Sequence, residues 1–570
     1  MSPSIIDRLP TELYSAILSH VPSNALQQTV LSLTRALPLS PIPQHHLFES
    51  IRILHPDQAV RLNHRLRSGR RKQDKNSSGN QNTFDASGLI RKFSVETWQV
   101  DADVLINLIR MLPNLESLIL WIGPSNFAPE HLEELFLNRM PNLRYLSLRF
   151  RPYVQKANYY QFLKGAYFDS TLLGLSAWPA TPQSLPILSI VQDPFTPDPA
   201  VTTQRFAQPI VFFRLDLHLS LLIHSPFTSS LKSLRLRIPA RPIVHPLTTI
   251  YRTPNPTPNT PAHHPAPLEL LDISTCNVPE SDLEALLIHF PHLKHLVLDE
   301  CTSLLRGGSP QATGLELEWW EALGRRCALA GVKKAREREK KLRAWLEAAS
   351  RNHVVEVQGG NHEGPPQGKR PRRGRKGLAT ATISLRASNS PPRAGPSTSA
   401  LAGSVPRHYG PIPKVHIVPP LPSLRSLCMH PTSIASTPVV MNAETRIRVL
   451  AEFEQGWNDG LRVIWEKRGR LGMSFTRMPE EGVKPRFLRF KTDVDAVGSG
   501  KGEGEGFEGL EDVRPGDERM LFWPGGGEGS QVLWRGGVPV VCLAGSSREA
   551  EGHVEGCGHS VAWDTWEDWM

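Results

Sequence analysis

Leucines recur along the chain with the spacing L-x-x-L-x-L, in which apolar and polar positions alternate. Copies of this pattern begin at Leu115, Leu143, Leu231, Leu268 and Leu293, and a late, degraded copy that ends in Met429 begins at Leu424. Such an alternation over a few residues predicts a short strand with one buried face. Before three of the copies lies an apolar stripe of helical period that ends at a proline, at 104–112, 131–140 and 283–290. The chain is therefore predicted to alternate short strands with helices.

The spacing between neighbouring copies favours leucine-rich repeats. Two pairs of copies follow each other after 28 and 25 residues, close to the period of that class. The copy from Leu268 to Val278 extends to L-x-x-L-x-L-x-x-C-x-L, and its Cys276 is expected to turn inward and bond to the backbone. Ordinary α/β crossovers are the alternative interpretation of the same pattern.

The N-terminal segment has a helical pattern. Leu13, Ile17 and Val21 recur at four-residue steps after Pro10 and Thr11, which suit a helix start. A second apolar stripe runs over 26–33, and a third short element is expected over 47–54. Three short helices make a very small core, so this segment would gain stability from a partner.

The same residues resemble a known family. The stretch from Leu9 to Pro22 looks like the opening of an F-box, and 31–35 resembles a later stretch of that family. The whole layout resembles fungal F-box proteins that carry leucine-rich repeats. The resemblance implies three small helices that dock on the Skp-type adaptor of an SCF ubiquitin ligase, through Leu9, Pro10, Glu12, Leu13, Ile17, Leu18 and Val21. A helical cap for the repeat array is the alternative.

These patterns together give an expected fold. We expect an α/β protein in which an N-terminal three-helix F-box-like module, 4–54, is followed by an irregular leucine-rich-repeat solenoid, 89–310, with disordered linkers. The remaining expected segments are a linker at 65–88, a Pro-rich insertion at 239–267, a charged helix at 315–349, a basic disordered linker at 350–422, a last repeat and helical region at 423–492, and an acidic Gly-rich tail at 493–570 with a short strand near 538–543.

Charge is distributed unevenly over the 570 residues, whose formal net charge is +10. Residues 325–376 hold 16 basic and 5 acidic side chains, whereas 493–570 hold 16 acidic and 5 basic ones. A dense basic cluster in a Pro/Gly-rich stretch is a candidate nuclear-import signal, with nonspecific nucleic-acid contact or a solvated charge run as alternatives. Its members are Lys369, Arg370, Arg372, Arg373, Arg375 and Lys376.

Composition favours a nuclear or cytoplasmic protein without membrane contact. No apolar run reaches 18 residues, so no transmembrane helix is expected. Six scattered cysteines do not form a disulfide framework, which indicates a reducing compartment.

Sequence motifs typical of metal-binding or catalytic sites are weak or lacking in this chain. No C-x-x-C pair occurs, and His553, Cys557 and His559 are interpreted as exposed side chains in a Gly-rich coil, so no metal or cofactor is expected. Phosphate-binding loops and nucleophile elbows are lacking, so the chain is not expected to be an enzyme.

The function implied by the resemblance is substrate recognition for an SCF-type ubiquitin ligase. The expected partners are the Skp-type adaptor, the cullin scaffold and an unknown substrate protein that binds the repeats. The alternative is a non-enzymatic nuclear repeat scaffold or RNA-associated protein that uses the basic tract at 333–376.

Overall fold

The computed structural model describes most of the segments in which the patterns above lie. The described residues are 9–38, 40–43, 45–75, 86–123, 125–151, 166–179, 185–193, 215–249, 266–301, 304, 317–358, 414–430, 443–478, 484–491, 507, 509–514, 516–517, 521–522 and 537–566. By contacts they divide into two compact units: 1–335, 419–472 and 516–570 form the first, and 336–418 with 473–515 form the second.

The first unit is built on a ten-stranded sheet in which every pairing is parallel. Neighbours in the sheet follow chain order, and the last two strands come from distant parts of the chain. The strands are β1 Ser50–Ile53, β2 Lys92–Val95, β3 Ser117–Ile122, β4 Tyr145–Phe150, β5 Ile187–Gln192, β6 Ser233–Arg237, β7 Leu270–Asp272, β8 His295–Val297, β10 Ser426–Cys428 and β13 Val540–Cys542. Because parallel strands need crossover connections, helices lie between most of them.

The described α-helices are numbered in chain order. They are α1 Thr11–Leu18, α2 Ser23–Ala36, α3 His45–Glu49, α4 Pro56–Lys75, α5 Ala102–Arg110, α6 Pro129–Phe136, α7 Ala166–Ser176, α8 Leu215–Ile223, α9 Val244–Thr248, α10 Glu280–His289, α11 Leu317–Gln358, α12 Ala443–Thr476 and α13 Gly558–Thr565. Within the described residues, no helix is both long and apolar enough to cross a bilayer.

Alternation along the strands places the main core on one face of the sheet. In β3, Leu118, Leu120 and Ile122 belong to the large core that also contains the crossover helices. The strands predicted from the L-x-x-L-x-L pattern are confirmed, each as part of this sheet. The inward turn expected at Cys276 is also confirmed, because its sulfur donates to the Leu236 carbonyl at 3.3 Å.

The expected fold of a three-helix module followed by an irregular leucine-rich-repeat solenoid is wrong, although the α/β class is confirmed. The third helix runs directly into β1, and Gln27 of α2 donates to the Ser50 carbonyl at 3.1 Å, so the N-terminal helices are joined to the sheet. At the other end, β13 extends the same sheet beyond the last L-x-x-L-x-L copy, which forms β10. Ordinary α/β crossovers on one parallel sheet, the alternative interpretation, describe the structure.

The opposite face of the sheet carries a smaller apolar cluster, which extends from Ile119 of β3 to Cys542 of β13. Ala562 and Trp566, from α13 and the residue after it, pack there against β10 and β13. Trp566 also lies under the guanidinium of Arg235, which is 4.9 Å from the ring centroid. The C-terminal helix therefore covers this end of the face that the crossover helices leave open.

The second unit contains a small three-stranded sheet. Strand β11, Arg486–Phe490, lies between β9, Val415–Ile417, to which it is parallel, and β12, Leu510–Asp512, to which it is antiparallel. Phe475 packs edge-on against Phe487 of β11 with ring centroids 5.2 Å apart.

Several segments expected from composition to be linkers or tail contain regular structure: α9 lies in the expected insertion at 239–267, β9 in the expected linker at 350–422, and β12 and α13 in the expected tail at 493–570. Helix α4 extends through Lys75, so the first part of the expected 65–88 linker is helical. The expected charged helix corresponds to α11, and the expected strand near 538–543 corresponds to β13. The basic cluster Lys369 to Lys376 lies outside the described residues.

Candidate functional site

The N-terminal helix α1 divides the predicted adaptor-binding residues between a buried and an exposed face. Tyr14 and Leu18 are buried in a small core with Val30 and Ile42. Leu13 and Ile17, one turn apart, are 48% and 53% exposed. An aliphatic pair left this open on a helix whose other face is packed is a surface that a partner could cover.

The other predicted adaptor-binding residues have different surroundings. Pro10 and Glu12 are exposed, whereas Leu9 and Val21 are partly buried against the small core. Leu18 is only 1% exposed, so it supports the helix and does not offer a contact surface.

A group of aromatic and basic side chains lies on the open face of the sheet, at the ends of β2 to β4. Trp98 and Trp121 pack with ring centroids 4.9 Å apart, and both are half-buried. Arg149 lies over Trp121 at 4.8 Å, and its Nε donates to Asp193 at 2.6 Å. Tryptophan and arginine are the side chains most often found at the centre of protein interfaces.

Two cysteines and two histidines meet at the far end of the sheet. Cys542, His553, Cys557 and His559 each direct one ligand atom into a common space, and these atoms all lie within 4.8 Å of one another. Cys542, Cys557 and His559 are buried, and His553 is half-buried. Thiolate and imidazole are the ligands that Zn²⁺ prefers in proteins.

Local backbone geometry brings these four residues together. Cys542 ends β13, where it is in register with Cys428 of β10, and Cys557 is the N-cap of α13. A Cβ at Gly558 would lie 2.9 Å from the Ser426 Oγ and 3.0 Å from the Cys428 Sγ. A side chain at position 558 would therefore have to displace Ser426 or Cys428, and glycine lets the start of α13 approach the sheet without that shift.

Each histidine is oriented by an oxygen on its far side. His559 Nε2 lies 2.8 Å from Asp299 Oδ2, and its buried Nδ1 has no hydrogen-bond partner in the described part of the chain. His553 Nε2 lies 2.9 Å from the Ser547 carbonyl, while its Nδ1 lies 3.5 Å from Cys542 Sγ and 3.8 Å from Cys557 Sγ. In both imidazoles Nε2 is therefore occupied by an oxygen, and Nδ1 is the nitrogen that faces the space between the thiols.

The electrostatics of the group favour deprotonated sulfur. The neighbouring thiol of Cys428, which can donate its hydrogen to either sulfur, lowers the pKa of Cys542 and that of Cys557. Burial raises the pKa of Cys428, which therefore remains the thiol donor. Burial alone would lower the pKa of His559, but the hydrogen bond to Asp299 and the nearby negative charges of Asp299 and Cys542 raise it to about 10. Thiolates are the form in which cysteine binds metals.

Sequence reasoning missed this group for two reasons. The interpretation of His553, Cys557 and His559 as exposed side chains is wrong, since Cys557 and His559 are 0% exposed. Cys542 was not connected with them, because it belongs to a strand that precedes them in the chain. The spacing C-x10-H-x3-C-x-H was the available signal, and it differs from the common zinc patterns with two closely spaced cysteines.

Comparison with known proteins gives no match for the chain, either among protein families or among curated proteins.

Proposed function

We propose that this protein is the substrate-recognition adaptor of an SCF-type ubiquitin ligase and docks on the Skp-type adaptor through α1. The observation that supports this proposal is the exposed pair Leu13 and Ile17, on a helix whose neighbouring face is buried through Tyr14 and Leu18. The pair lies within the stretch that resembles an F-box. The protein itself then performs no chemistry and raises the local concentration of substrate lysines at a ubiquitin-charged enzyme.

The separation of buried and exposed side chains on α1 suits such a contact, because a partner can bind the exposed side chains without disturbing the fold. Tyr14 and Leu18 hold the helix in place, so a partner can cover Leu13 and Ile17 without rearrangement. Full burial of one aliphatic side chain is worth about 1.5–3 kcal/mol. Since each of the two side chains is about half exposed, burying both would strengthen association by roughly tenfold or more.

The open face of the sheet supports the substrate-binding half of the proposal. Trp98, Trp121 and Arg149 form a half-exposed group there, away from the end that α13 covers. The substrate would pack on the indoles, and Arg151, exposed beside Trp98, would favour an acidic segment.

The alternative, an RNA-associated scaffold that uses the basic tract, has less support. Lys333 pairs with Glu284 at 2.8 Å, and Arg343 pairs with Glu339 at 2.7 Å, so part of the tract's charge is already matched.

The proposal is tested by binding of the full chain to a purified Skp-type adaptor. The double variant Leu13→Ala/Ile17→Ala should bind at least about tenfold more weakly. The matched control is Leu137→Ala, which removes an aliphatic side chain that is 73% exposed outside α1. It should bind like the wild type, and both variants should keep the wild-type circular dichroism.

Two results would count against the assignment. Failure of the wild-type chain to bind the adaptor would remove the SCF proposal. Wild-type affinity in the double variant would show that the exposed face of α1 is not the docking surface.

A further inference from the structure

We propose that Cys542, His553, Cys557 and His559 bind one structural zinc ion that fixes the C-terminal segment to the end of the sheet. The proposal is independent of the adaptor function, since the four residues lie at the opposite end of the sheet from α1 in strand order.

The distances within the group match a tetrahedral ion. Bonds of about 2.3 Å to sulfur and about 2.0–2.1 Å to nitrogen place ligand atoms about 3.3–3.8 Å apart. The Nδ1 atom of His553 lies 3.5 Å and 3.8 Å from the two sulfur atoms. Because all four ligand atoms lie within 4.8 Å of one another, small side-chain rotations complete the tetrahedron.

A buried nitrogen atom without a hydrogen-bond partner supports a metal ion as the ligand of this group. Nδ1 of His559 is buried without a hydrogen-bond partner among the described residues, and leaving such a nitrogen unsatisfied costs free energy. A zinc ion between the two thiolates would satisfy it. Two thiolates and two neutral imidazoles would also make the zinc complex electrically neutral.

The outer contacts have the form found around protein-bound zinc. Metal-binding histidines usually donate their second N–H to a carboxylate or a carbonyl, which fixes the tautomer and the ring. Here Asp299 Oδ2 accepts from His559 Nε2 at 2.8 Å, and the Ser547 carbonyl accepts from His553 Nε2 at 2.9 Å. Asp299 is itself held by the His430 backbone N–H, which donates to Oδ1 at 3.0 Å.

The types and number of ligand atoms favour zinc over other metals and a structural role over a catalytic one. Two sulfur and two nitrogen ligands in a tetrahedron are typical of Zn²⁺. Four protein ligands leave no open position for water or substrate, so the ion stabilises the fold and does not catalyse a reaction. The ligands come from β13, from the loop after it and from the start of α13, so one ion ties all three together.

The first test is the metal content of the full chain, purified without chelators and measured by elemental mass spectrometry. We expect about one zinc per chain for four tetrahedral protein ligands. Cys542→Ser and Cys557→Ser should lose this zinc. The control is Cys327→Ala, which removes a buried thiol of α11 outside the group and should keep the metal.

Cobalt substitution identifies the ligands without relying on how the variants fold. The wild-type chain, stripped of metal and given Co²⁺, should show the visible bands of a tetrahedral site and the near-ultraviolet charge-transfer band of thiolate ligands. Zinc should displace the cobalt and abolish both signals.

Asp299 is tested as a positioning residue. Asp299→Asn should weaken zinc affinity about 10–100-fold in competition with a chromophoric chelator. The cobalt spectrum should keep its shape, because the four ligands are unchanged. A purely structural role for Asp299 would instead lower stability without changing the affinity of the folded protein for zinc.

Several outcomes would overturn the proposal. One is wild-type protein that holds no stoichiometric zinc and does not acquire it on reconstitution. Another is a disulfide between Cys542 and Cys557 in the native protein, found by mass spectrometry after alkylation. A third is a cobalt spectrum without a thiolate band.

Discussion

At the residue scale, the strongest electrostatic interaction is a buried ion pair at the carboxyl ends of two neighbouring inner strands, β6 and β7. Asp272, which is 0% exposed, accepts from Arg237 Nη2 at 2.8 Å. The Ser274 hydroxyl also donates to its Oδ1 at 2.8 Å. Burial alone would raise the pKa of Asp272, but Arg237 outweighs it and the pKa is lowered. The carboxylate is therefore charged in the fold and fully paired.

Replacing Asp272 by Asn should destabilise the protein strongly. Breaking one side of a buried pair costs about 3–5 kcal/mol, because the remaining charge is left without a partner. The control Glu116→Gln removes an exposed pair with Arg91 and should cost less than about 1 kcal/mol. Urea unfolding followed by circular dichroism measures both; equal losses would contradict the prediction.

The same carboxylate gives a pH dependence with a defined sign. Because its pKa is lower in the folded than in the unfolded state, Asp272 stabilises the fold fully above the unfolded value of about 3.9. That contribution disappears as the pH falls from there through the lower folded pKa. The loss of stability on acidification below about pH 4 should thus be smaller in Asp272→Asn than in the wild type. An unchanged slope would show that Asp272 is not responsible.

At the element scale, glycines set the distance between two long helices of the first unit. Composition alone suggests that Gly324 weakens α11, yet its missing side chain is what admits α12. A Cβ there would lie 2.2 Å from the Phe453 carbonyl oxygen, and a Cβ at Gly456 would lie 1.8 Å from that of Glu321. The helices therefore pack backbone against backbone, an arrangement that a propensity scale does not reveal.

Two glycines of α12 offer a matched pair of substitutions. Gly456→Ala should destabilise the protein by about 1–3 kcal/mol or more, because the backbone of α11 cannot yield easily. Gly469→Ala should stabilise it by about 0.5–1 kcal/mol, since a Cβ there meets nothing within 4 Å and alanine is the better helix former. Thermal unfolding of the two variants gives the sign directly. Shifts in the same direction would contradict the packing described for α11 and α12.

The sequence predicts elements well where the signal is local. The strands β3, β4 and β6 follow from L-x-x-L-x-L, because alternation and burial are properties of adjacent residues. The addition of β13 to the same sheet is not predictable in this way. A strand near 538–543 is expected, but Val540 pairs with Ser426 across more than 100 residues, and no local pattern indicates that partner. The metal-binding group depends on that pairing, so its missing member, Cys542, could not be placed either.

At the scale of the whole molecule, charge is segregated along the chain, with a basic middle and an acidic C-terminal part. We predict that the basic cluster from Lys369 to Lys376 directs nuclear import. Replacing Arg370, Arg372, Arg373 and Arg375 by Ala should move a fluorescent fusion of the full chain toward the cytosol. A control that replaces Arg351 and Arg393 by Ala, outside the cluster, should leave the distribution unchanged. Equal distributions of all three proteins would exclude this role.

Metal removal tests how far the stability of the first unit depends on its C-terminal end. If zinc ties β13 and α13 to the sheet, chelation should open that end first, because ligand binding stabilises the elements that form its site. Amide hydrogen exchange of the full chain should then rise in Val540–Cys542 and Gly558–Thr565. Strands β3 and β4, which are separated from β13 by five strands of the sheet, should keep their protection because their partners are unchanged. Readdition of zinc should restore the original exchange. Uniform acceleration across the sheet would instead show that the ion controls global unfolding. No change at all would show that apolar packing, including that of Ala562 and Trp566, holds the C-terminal helix without zinc.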